Sequence, residues 1–146
     1  MVATIPSTQS HLQFIIERLA SPGHQDDIVP WIQSLDLFVL PSHGDEGVPQ
    51  AIMQAMACEI PVVSTPVGAI TEAVEDGVTG LIAEPRSSES LALQLAKLRD
   101  DPALRKRFGT AAREKAVREF GIERMLDRME AVFRSVLDGG GDRLDR

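Results

Sequence analysis

Three short apolar runs, each followed closely by a proline, constrain most strongly what this chain can fold into. They cover residues 37–40 before Pro41, residues 61–65 before Pro66, and residues 81–83 before Pro85. Short continuous apolar runs are typical of parallel strands that are covered on both faces. Segments with helical spacing separate them. The sequence therefore predicts βαβ units and an α/β fold, with a parallel sheet of about three strands flanked by helices.

Two helices are predicted between the strands. Residues 48–58 are apolar on almost every side, which indicates a helix buried on most of its faces. Pro49 suits the first position of that helix, because its missing N–H has no helical partner there. Residues 69–75 are expected to form a second, short helix. Gly77 is its predicted left-handed terminator.

Capping residues mark the later helices. Ser87 or Ser88 is expected to cap a helix whose leucines share one face. Asp101 followed by Pro102 predicts the cap and first residue of the next helix, which ends near Gly121. A final helix carries an apolar stripe at the spacing of 3.6 residues. The stripe consists of Ile122, Met125, Leu126, Met129, Val132, Phe133 and Val136.

The chain is predicted to contain one domain between two less regular ends. Residues 1–22 are weakly patterned apart from helical spacing at 11–19, and residues 23–137 carry the βαβ pattern. A short helix is expected at 28–35, capped by Asp26 or Asp27. Residues 138–146 are rich in glycine and polar groups, so we expect a disordered tail.

Charge and composition exclude some classes of partner and compartment. The 146 residues carry a net charge of −7. Binding to nucleic acid needs clustered Lys and Arg, so nucleic acid is not an expected partner. The sequence shows neither a signal peptide nor a membrane span. Cys58, the single cysteine, cannot form an internal disulfide and is predicted to be buried and inert, which fits a cytoplasmic protein.

Two loops follow the first two predicted strands, at residues 41–47 and 66–69. Ligands of open parallel sheets bind at the carboxyl ends of the strands, and both loops contain glycine and lead into a helix N-terminus. This pattern suggests a small anionic ligand, although simple connecting turns would look the same. The histidines, His11, His24 and His43, lack metal-ligand spacing, so no metal site is predicted.

The order of residues in this region resembles glycosyltransferase family 4, the group 1 transferases of GT-B type. The resemblance lies in PSHGDEGVPQAIMQAMACEIPVVSTPVGAITEAVEDGVTGLIAEP, residues 41–85, and continues through ALRKRFGTAAREKA and EFGIERM. It covers about residues 23–137. The resemblance implies a partial Rossmann-like unit, the C-terminal half of a GT-B donor-binding domain.

The family pattern also implies site residues. Glu46 matches the first acid of the E-x(7)-E motif and would act on the hydroxyls of the donor sugar, which makes it the candidate catalytic residue. The second acid is replaced by Gln54, whose amide could still bond a ribose hydroxyl. Further donor-binding candidates are Ser42, the backbone of Gly47 and Val48, and the glycine loop at Gly68 and Ala69. Glu59 replaces a usual glycine, in a position where glycine would be left-handed.

By this resemblance the chain is part of a retaining transferase. A nucleotide-diphosphate sugar would be its donor substrate, with no cofactor, and a hydroxyl of a glycan or lipid-linked sugar would be its acceptor. The family's N-terminal domain is absent from the sequence, so the chain alone is expected to be inactive. The expected location is cytoplasmic, or peripheral to the inner face of the membrane in the full-length enzyme.

Two other readings remain open. One is a non-catalytic nucleotide-sugar-binding or interaction module, and the other, which fits the motif less well, is a sugar-nucleotide epimerase of the same shape. The apolar stripe of the final helix, which is expected to be buried, and an open sheet edge also suggest a homodimer.

Overall fold

The computed structural model describes residues 23–44 and 46–140. The predicted helix at 11–19 lies outside these residues. The described part contains α1 (Val29–Gln33), β1 (Phe38–Leu40), α2 (Gln50–Ala57), β2 (Val62–Ser64), α3 (Ile70–Ala73), β3 (Gly80–Ile82), α4 (Ser88–Asp100), α5 (Pro102–Phe120) and α6 (Ile122–Gly140). Helices and strands alternate through β3, as the sequence predicts.

The three strands form one parallel sheet in the order β1-β2-β3. Phe38 pairs with Val62, and Val62 pairs with Gly80. The predicted fold class is confirmed, and each apolar run overlaps one strand, although β3 begins one residue earlier, at Gly80. The strands are three residues long, so the flanking prolines and Thr65 lie in the connecting loops.

The sheet separates two parts of the hydrophobic core. Successive residues of a strand point to opposite faces. Val62 accordingly packs in one cluster with Ile52 and Met56 of α2, while Val63 packs in the other with Phe108 of α5. Both valines are fully buried, and β2 is therefore the covered central strand that its continuous apolar sequence predicts.

Two capping predictions are confirmed. The Ser87 side chain accepts a hydrogen bond of 3.1 Å from the Ser90 N–H at the start of α4. The Asp101 carboxylate accepts one of 2.9 Å from the Leu104 N–H at the start of α5. Each side chain satisfies a backbone donor that has no partner within its helix.

Several helix boundaries differ from the prediction. Pro49 has φ −66° and ψ 128°, so it is the residue before α2 and not its first helical residue. Helix α3 ends at Ala73 because Val74 is extended. Gly77 is left-handed, with φ +74°, but it shapes the turn before β3, where its N–H bonds the Gly80 carbonyl.

The first and last helices also differ in length. Helix α1 spans five residues, and the Asp27 carboxylate accepts a 3.1 Å hydrogen bond from the N–H of Val29, the first residue of this helix. Helix α6 continues through Gly140, so residues 138–140, which the composition assigned to the tail, are helical. Residues 141–146 lie outside the described residues. Every side chain described in α6, residues 122–138, is exposed.

The turn from α2 to β2 is held by α5. Arg113 of α5 donates a hydrogen bond to the carbonyl of Ala57, the last residue of α2, and its guanidinium lies 3.7 Å from the Glu59 carboxylate. A Cβ atom on Gly109 would lie 2.0 Å from the Glu59 carbonyl oxygen. Glycine therefore allows α5 to approach this turn closely. Cys58, predicted to be buried, is only half-buried here.

Replacing Glu59 with glycine should stabilise the fold. Glu59 has φ +63°, the left-handed conformation predicted for this position, and a side chain there costs ~1 kcal/mol relative to glycine. We expect Glu59→Gly to raise the free energy of unfolding in urea by ~1 kcal/mol. Glu59→Ala is the control, because it removes the exposed ion pair with Arg113 but keeps the Cβ atom. An equal gain in the alanine variant would refute the conformational explanation.

Candidate functional site

Hydroxyl groups at the end of β2 fix the loop that follows β1. The Ser64 hydroxyl donates a 2.6 Å hydrogen bond to the Leu40 carbonyl, and the Thr65 hydroxyl donates one of 2.5 Å to the Ser42 carbonyl. Ser64 and Thr65 are both buried. These bonds continue the contact between β1 and β2 beyond the sheet. The loop after β1 therefore starts from a fixed backbone at the carboxyl edge.

Glu46 is held in this loop through both its side chain and its backbone. The Ser42 hydroxyl donates a 2.9 Å hydrogen bond to Glu46 Oε1, and the Ala69 N–H donates one of 2.9 Å to the Glu46 carbonyl. Glu46 is half-buried. In the described part of the chain, its other carboxylate oxygen, Oε2, accepts no hydrogen bond. Among the described residues, the carboxylate is thus oriented through one oxygen, and the other oxygen has no partner.

Gly68 permits the contact between the two loops. Its φ is +56°, and a Cβ atom at this position would lie 1.9 Å from the Glu46 carbonyl oxygen. Because the obstructing atom is backbone, it cannot move aside as a side chain could. The structure therefore brings Ser42, Glu46, Gly68 and Ala69 together at the carboxyl edge of the sheet, as predicted.

Gly47 and Val48 lead from Glu46 to the start of α2. Gly47 is exposed, and a Cβ atom there would meet nothing within 4 Å. The Val48 side chain packs against the core, which leaves its backbone as the part that a ligand could reach. Asp45, the residue before Glu46, lies outside the described residues.

Gln54 does not share the cavity of Glu46. A cavity of about 320 Å³ is lined by Leu40, Pro41, Ser42, His43, Gly44 and Glu46. Gln54 lines a separate cavity of about 350 Å³ together with Gln50, Phe120 and Gly121. Since α2 begins at Gln50, Gln54 lies about one turn into the helix, and not the two turns that a helix from residue 48 would give.

Sequence reasoning missed some residues that shape this edge. The positioning hydroxyls of Ser64 and Thr65 were visible as polar residues at the end of an apolar run. Arg86 gave no signal, yet its φ is +60° and it lines a third cavity, next to that of Glu46. Glu72 in α3 is exposed.

Two general features of the described residues bear on the site. Across residues 23–44 and 46–140, His, Cys, Asp and Glu side chains form no group of three that could hold a metal ion. Within the same ranges, no helix is both long enough and apolar enough to span a membrane.

The structure is similar to those of known glycosyltransferases. HepE from Anabaena, solved in complex with UDP, matches with a TM-score of 0.79 and 25% identity over 87% of this chain and 36% of that protein. A sucrose-phosphate synthase from Thermosynechococcus elongatus matches with a TM-score of 0.80 and 24% identity, over 90% of this chain and 34% of the synthase. At 24% identity, the similarity to the synthase shows a shared fold only.

The sequence is similar to bacterial glycosyltransferases. N-acetyl-alpha-D-glucosaminyl L-malate synthase of Bacillus anthracis is 31% identical over 84% of this chain and 32% of its own length. A D-inositol 3-phosphate glycosyltransferase of Streptomyces bingchenggensis is 30% identical over 84% of the chain and 26% of its own length. The chain thus spans a third or less of these relatives. The family model described as "Glycosyl transferases group 1" matches residues 5–101. The chain belongs to the group 1 glycosyl transferases.

Proposed function

We propose that the chain is the C-terminal, donor-binding portion of a retaining family 4 glycosyltransferase of GT-B type. The enzyme would transfer a sugar, of hexose type, from a nucleotide-diphosphate sugar to an acceptor hydroxyl. Membership of the group 1 family supports this proposal, as does similarity to HepE, which was solved with UDP. The observation that carries it is the Glu46 carboxylate, oriented by Ser42 at the carboxyl edge of a parallel sheet.

The geometry around Glu46 suits recognition of a sugar. A carboxylate accepts hydrogen bonds only, and charge-assisted bonds to hydroxyls are stronger than neutral ones. Because Ser42 occupies Oε1, the open Oε2 is available to a donor hydroxyl. The backbone of Gly47 and Val48 lies between Glu46 and the start of α2, where free N–H groups favour phosphate oxygens. Sugar and diphosphate would therefore bind side by side.

In the proposed reaction, the acceptor oxygen bonds to the anomeric carbon while the bond from that carbon to the diphosphate breaks, and the proton of the acceptor hydroxyl passes to the departing diphosphate. Attack comes from the face from which the diphosphate leaves, so the configuration is retained. The protein supplies no nucleophile. Its contribution is to position the donor and to stabilise charge at the departing diphosphate. No metal or cofactor enters this scheme.

The remaining parts of the proposal concern the whole enzyme. An N-terminal domain would bind the acceptor, a glycan or lipid-linked sugar. A capsular polysaccharide biosynthesis glycosyltransferase, CapM of Staphylococcus aureus, is among the relatives, at 28% identity over 78% of this chain. We place the enzyme in the cytoplasm or at the inner face of the membrane. The chain alone would bind the donor without transferring its sugar.

A non-catalytic donor-binding module is the second candidate. It is favoured by Gln54, which stands where the resemblance implies the second acid of the E-x(7)-E motif. The two candidates differ in one measurement. Sugar transfer restored by adding an N-terminal acceptor domain supports the enzyme, whereas donor binding without transfer in that assembly supports the module.

Loss of the Glu46 carboxylate should weaken donor binding. A panel of UDP-, GDP- and ADP-sugars first identifies the donor that binds best, by calorimetry or amide-resonance titration of the 146-residue chain. With that donor, we expect Glu46→Ala to reduce the binding free energy by ~1–3 kcal/mol, the usual effect of losing hydrogen bonds to a charged group. Glu72→Ala is the matched control, since it removes an exposed carboxylate from the neighbouring helix α3.

Gln54→Glu completes the same experiment. If Gln54 contacts the ribose, glutamate should keep or strengthen donor binding, because a charged acceptor bonds a hydroxyl more strongly than an amide does. Unchanged affinity in Glu46→Ala rejects the role of Glu46. Weaker binding in Gln54→Glu, with Glu46→Ala behaving as expected, contradicts the ribose contact of Gln54.

A further inference from the structure

The third cavity, of about 260 Å³, opens at the carboxyl edge of the sheet beside that of Glu46. Pro41 and His43 line both cavities, so the loop after β1 forms the wall between them. The opposite side of this third cavity, which we call the Arg86 cavity, consists of residues that follow β3. Glu84, Arg86 and Ser88 supply its polar groups there. The proposed donor site uses none of these three.

The Arg86 cavity contains two opposite charges that do not neutralise each other. Arg86 and Glu84 are exposed. In the part of the chain that the structure describes, neither side chain forms an ion pair or a hydrogen bond. The Glu84 backbone N–H, by contrast, is used, in a 2.9 Å bond to the Ser90 hydroxyl. The cavity therefore offers a free guanidinium and a free carboxylate to one ligand.

These groups favour one class of ligand. A guanidinium binds carboxylate or phosphate through parallel N–H donors. The Glu84 carboxylate repels a bare anion, but it accepts hydrogen bonds from hydroxyls, and Ser88 can donate or accept. Leu91 and Pro41 add an apolar wall for the C–H face of a ring. The volume lies below the ~300–1,000 Å³ of pockets for drug-sized ligands, so the cavity suits a single ring.

We propose that the Arg86 cavity binds a small sugar that carries one carboxylate or one phosphate. Arg86 binds the anionic group, and Glu84 and Ser88 bind the hydroxyls. Because this cavity adjoins that of Glu46, the bound sugar would be one end of the acceptor, the rest of which the N-terminal domain would bind; this assignment rests on the proposed function. The binding itself does not depend on it.

The backbone at Arg86 makes a sharp test possible. Arg86 has φ +60°, a conformation that glycine adopts without strain. Arg86→Gly therefore removes the guanidinium and relieves the backbone in one change. A loss of binding in this variant cannot be attributed to unfolding if the midpoint of urea unfolding is unchanged or higher. Arg86→Gln removes the charge and keeps the Cβ atom, so it measures the contribution of the charge to ligand binding.

The test is an amide-resonance titration of the 146-residue chain with D-glucuronate, D-glucose 6-phosphate, D-glucose and inorganic phosphate. At least one of the two charged sugars should bind 10-fold or more tightly than glucose and than inorganic phosphate, with shifts at residues 84–88. The better of the two identifies the carboxylate or the phosphate as the recognised group. Equal binding of glucose, or no binding of either charged sugar, overturns the proposal.

Variants then locate the contact. Arg86→Gly and Arg86→Gln should each weaken binding of the better sugar by at least 10-fold. Glu59→Gly is the matched control, because it relieves the same left-handed conformation at a position outside the cavity and should leave binding unchanged. Glu46→Ala should also leave it unchanged, which separates this site from the donor site. Wild-type affinity in Arg86→Gly overturns the proposal.

Discussion

In solution at micromolar concentration, the 146-residue chain is expected to be a dimer, and Met129→Glu combined with Phe133→Glu is expected to return it to a monomer. The apolar stripe of α6 is the reason. Its members are 45–65% exposed, and Leu137 beside them is 76% exposed. Ile122, Met125, Met129, Val132 and Val136 follow the alternating three- and four-residue spacing of a helix that packs against another helix. A two-fold contact would bury the stripe of each copy.

The expected effect is large. Burying a Met or Phe side chain contributes ~1.5–3 kcal/mol, so losing two from each copy should raise the dissociation constant by at least ~100-fold. Sedimentation equilibrium measures this directly. The control variant carries Ala131→Glu and Ser135→Glu, which add the same charges at the same spacing on the face of α6 away from the stripe.

A wild-type chain that stays monomeric at high concentration contradicts the prediction. Dissociation of the control to the same extent would show that added charge, and not the stripe, controls association. Association that persists in the Met129 and Phe133 variant excludes α6 and leaves the edge of β1. Among the described residues, that strand pairs with β2 alone, and an unpaired strand edge can pair with another chain.

Gly109→Ala should destabilise the fold strongly, although alanine ordinarily stabilises a helix relative to glycine. On intrinsic propensity the change would gain ~1 kcal/mol. At this position the new Cβ atom would lie 2.0 Å from the Glu59 carbonyl oxygen and 2.9 Å from its carbon. These are backbone atoms of the turn that follows α2, so relief requires α5 to move away from α2 and this turn. That movement would open the packing of Ala112 and Ala116 against Met56.

We expect Gly109→Ala to lower the free energy of unfolding by about 3 kcal/mol, the upper part of the usual range for an overpacked core. Urea unfolding followed by circular dichroism measures the change. Gly47→Ala is the matched control, since a Cβ atom there meets nothing within 4 Å and the backbone needs no positive φ. Stability equal to or above that of the wild type in Gly109→Ala would mean that α5 and α2 are not in close contact.

The sequence predicted those parts of the fold that depend on local chemistry. Continuous apolar runs ended by prolines identified the strands, and Ser87 and Asp101 identified two helix starts, because side-chain caps act on neighbouring residues. Gly77 was correctly expected to be left-handed. Its predicted role as the helix terminator was wrong. Residues 69–75 look helical in sequence, but α3 ends at Ala73, where the buried Val74 is extended.

The candidate site was predictable only as an order of residues. Glu46 and Gly68 were placed at one edge because parallel strands end together, and the structure shows that contact. Residue spacing did not predict that Glu46 and Gln54 line different cavities. Pro49 has an extended ψ of 128°, so α2 begins at Gln50 and not at residue 48. The left-handed backbone at Arg86 had no sequence signal, because arginine rarely adopts it.

The agreement between strand order and chain order has a consequence for how the molecule folds. Phe38 pairs with Val62, and Val62 with Gly80, so each strand pair closes a short stretch of chain around a single helix. Short closures lose little chain entropy, and rates of folding rise as contacting residues lie closer in sequence. The sheet can therefore assemble one βαβ unit at a time as the chain leaves the ribosome, with β2 as the template on which β3 is added.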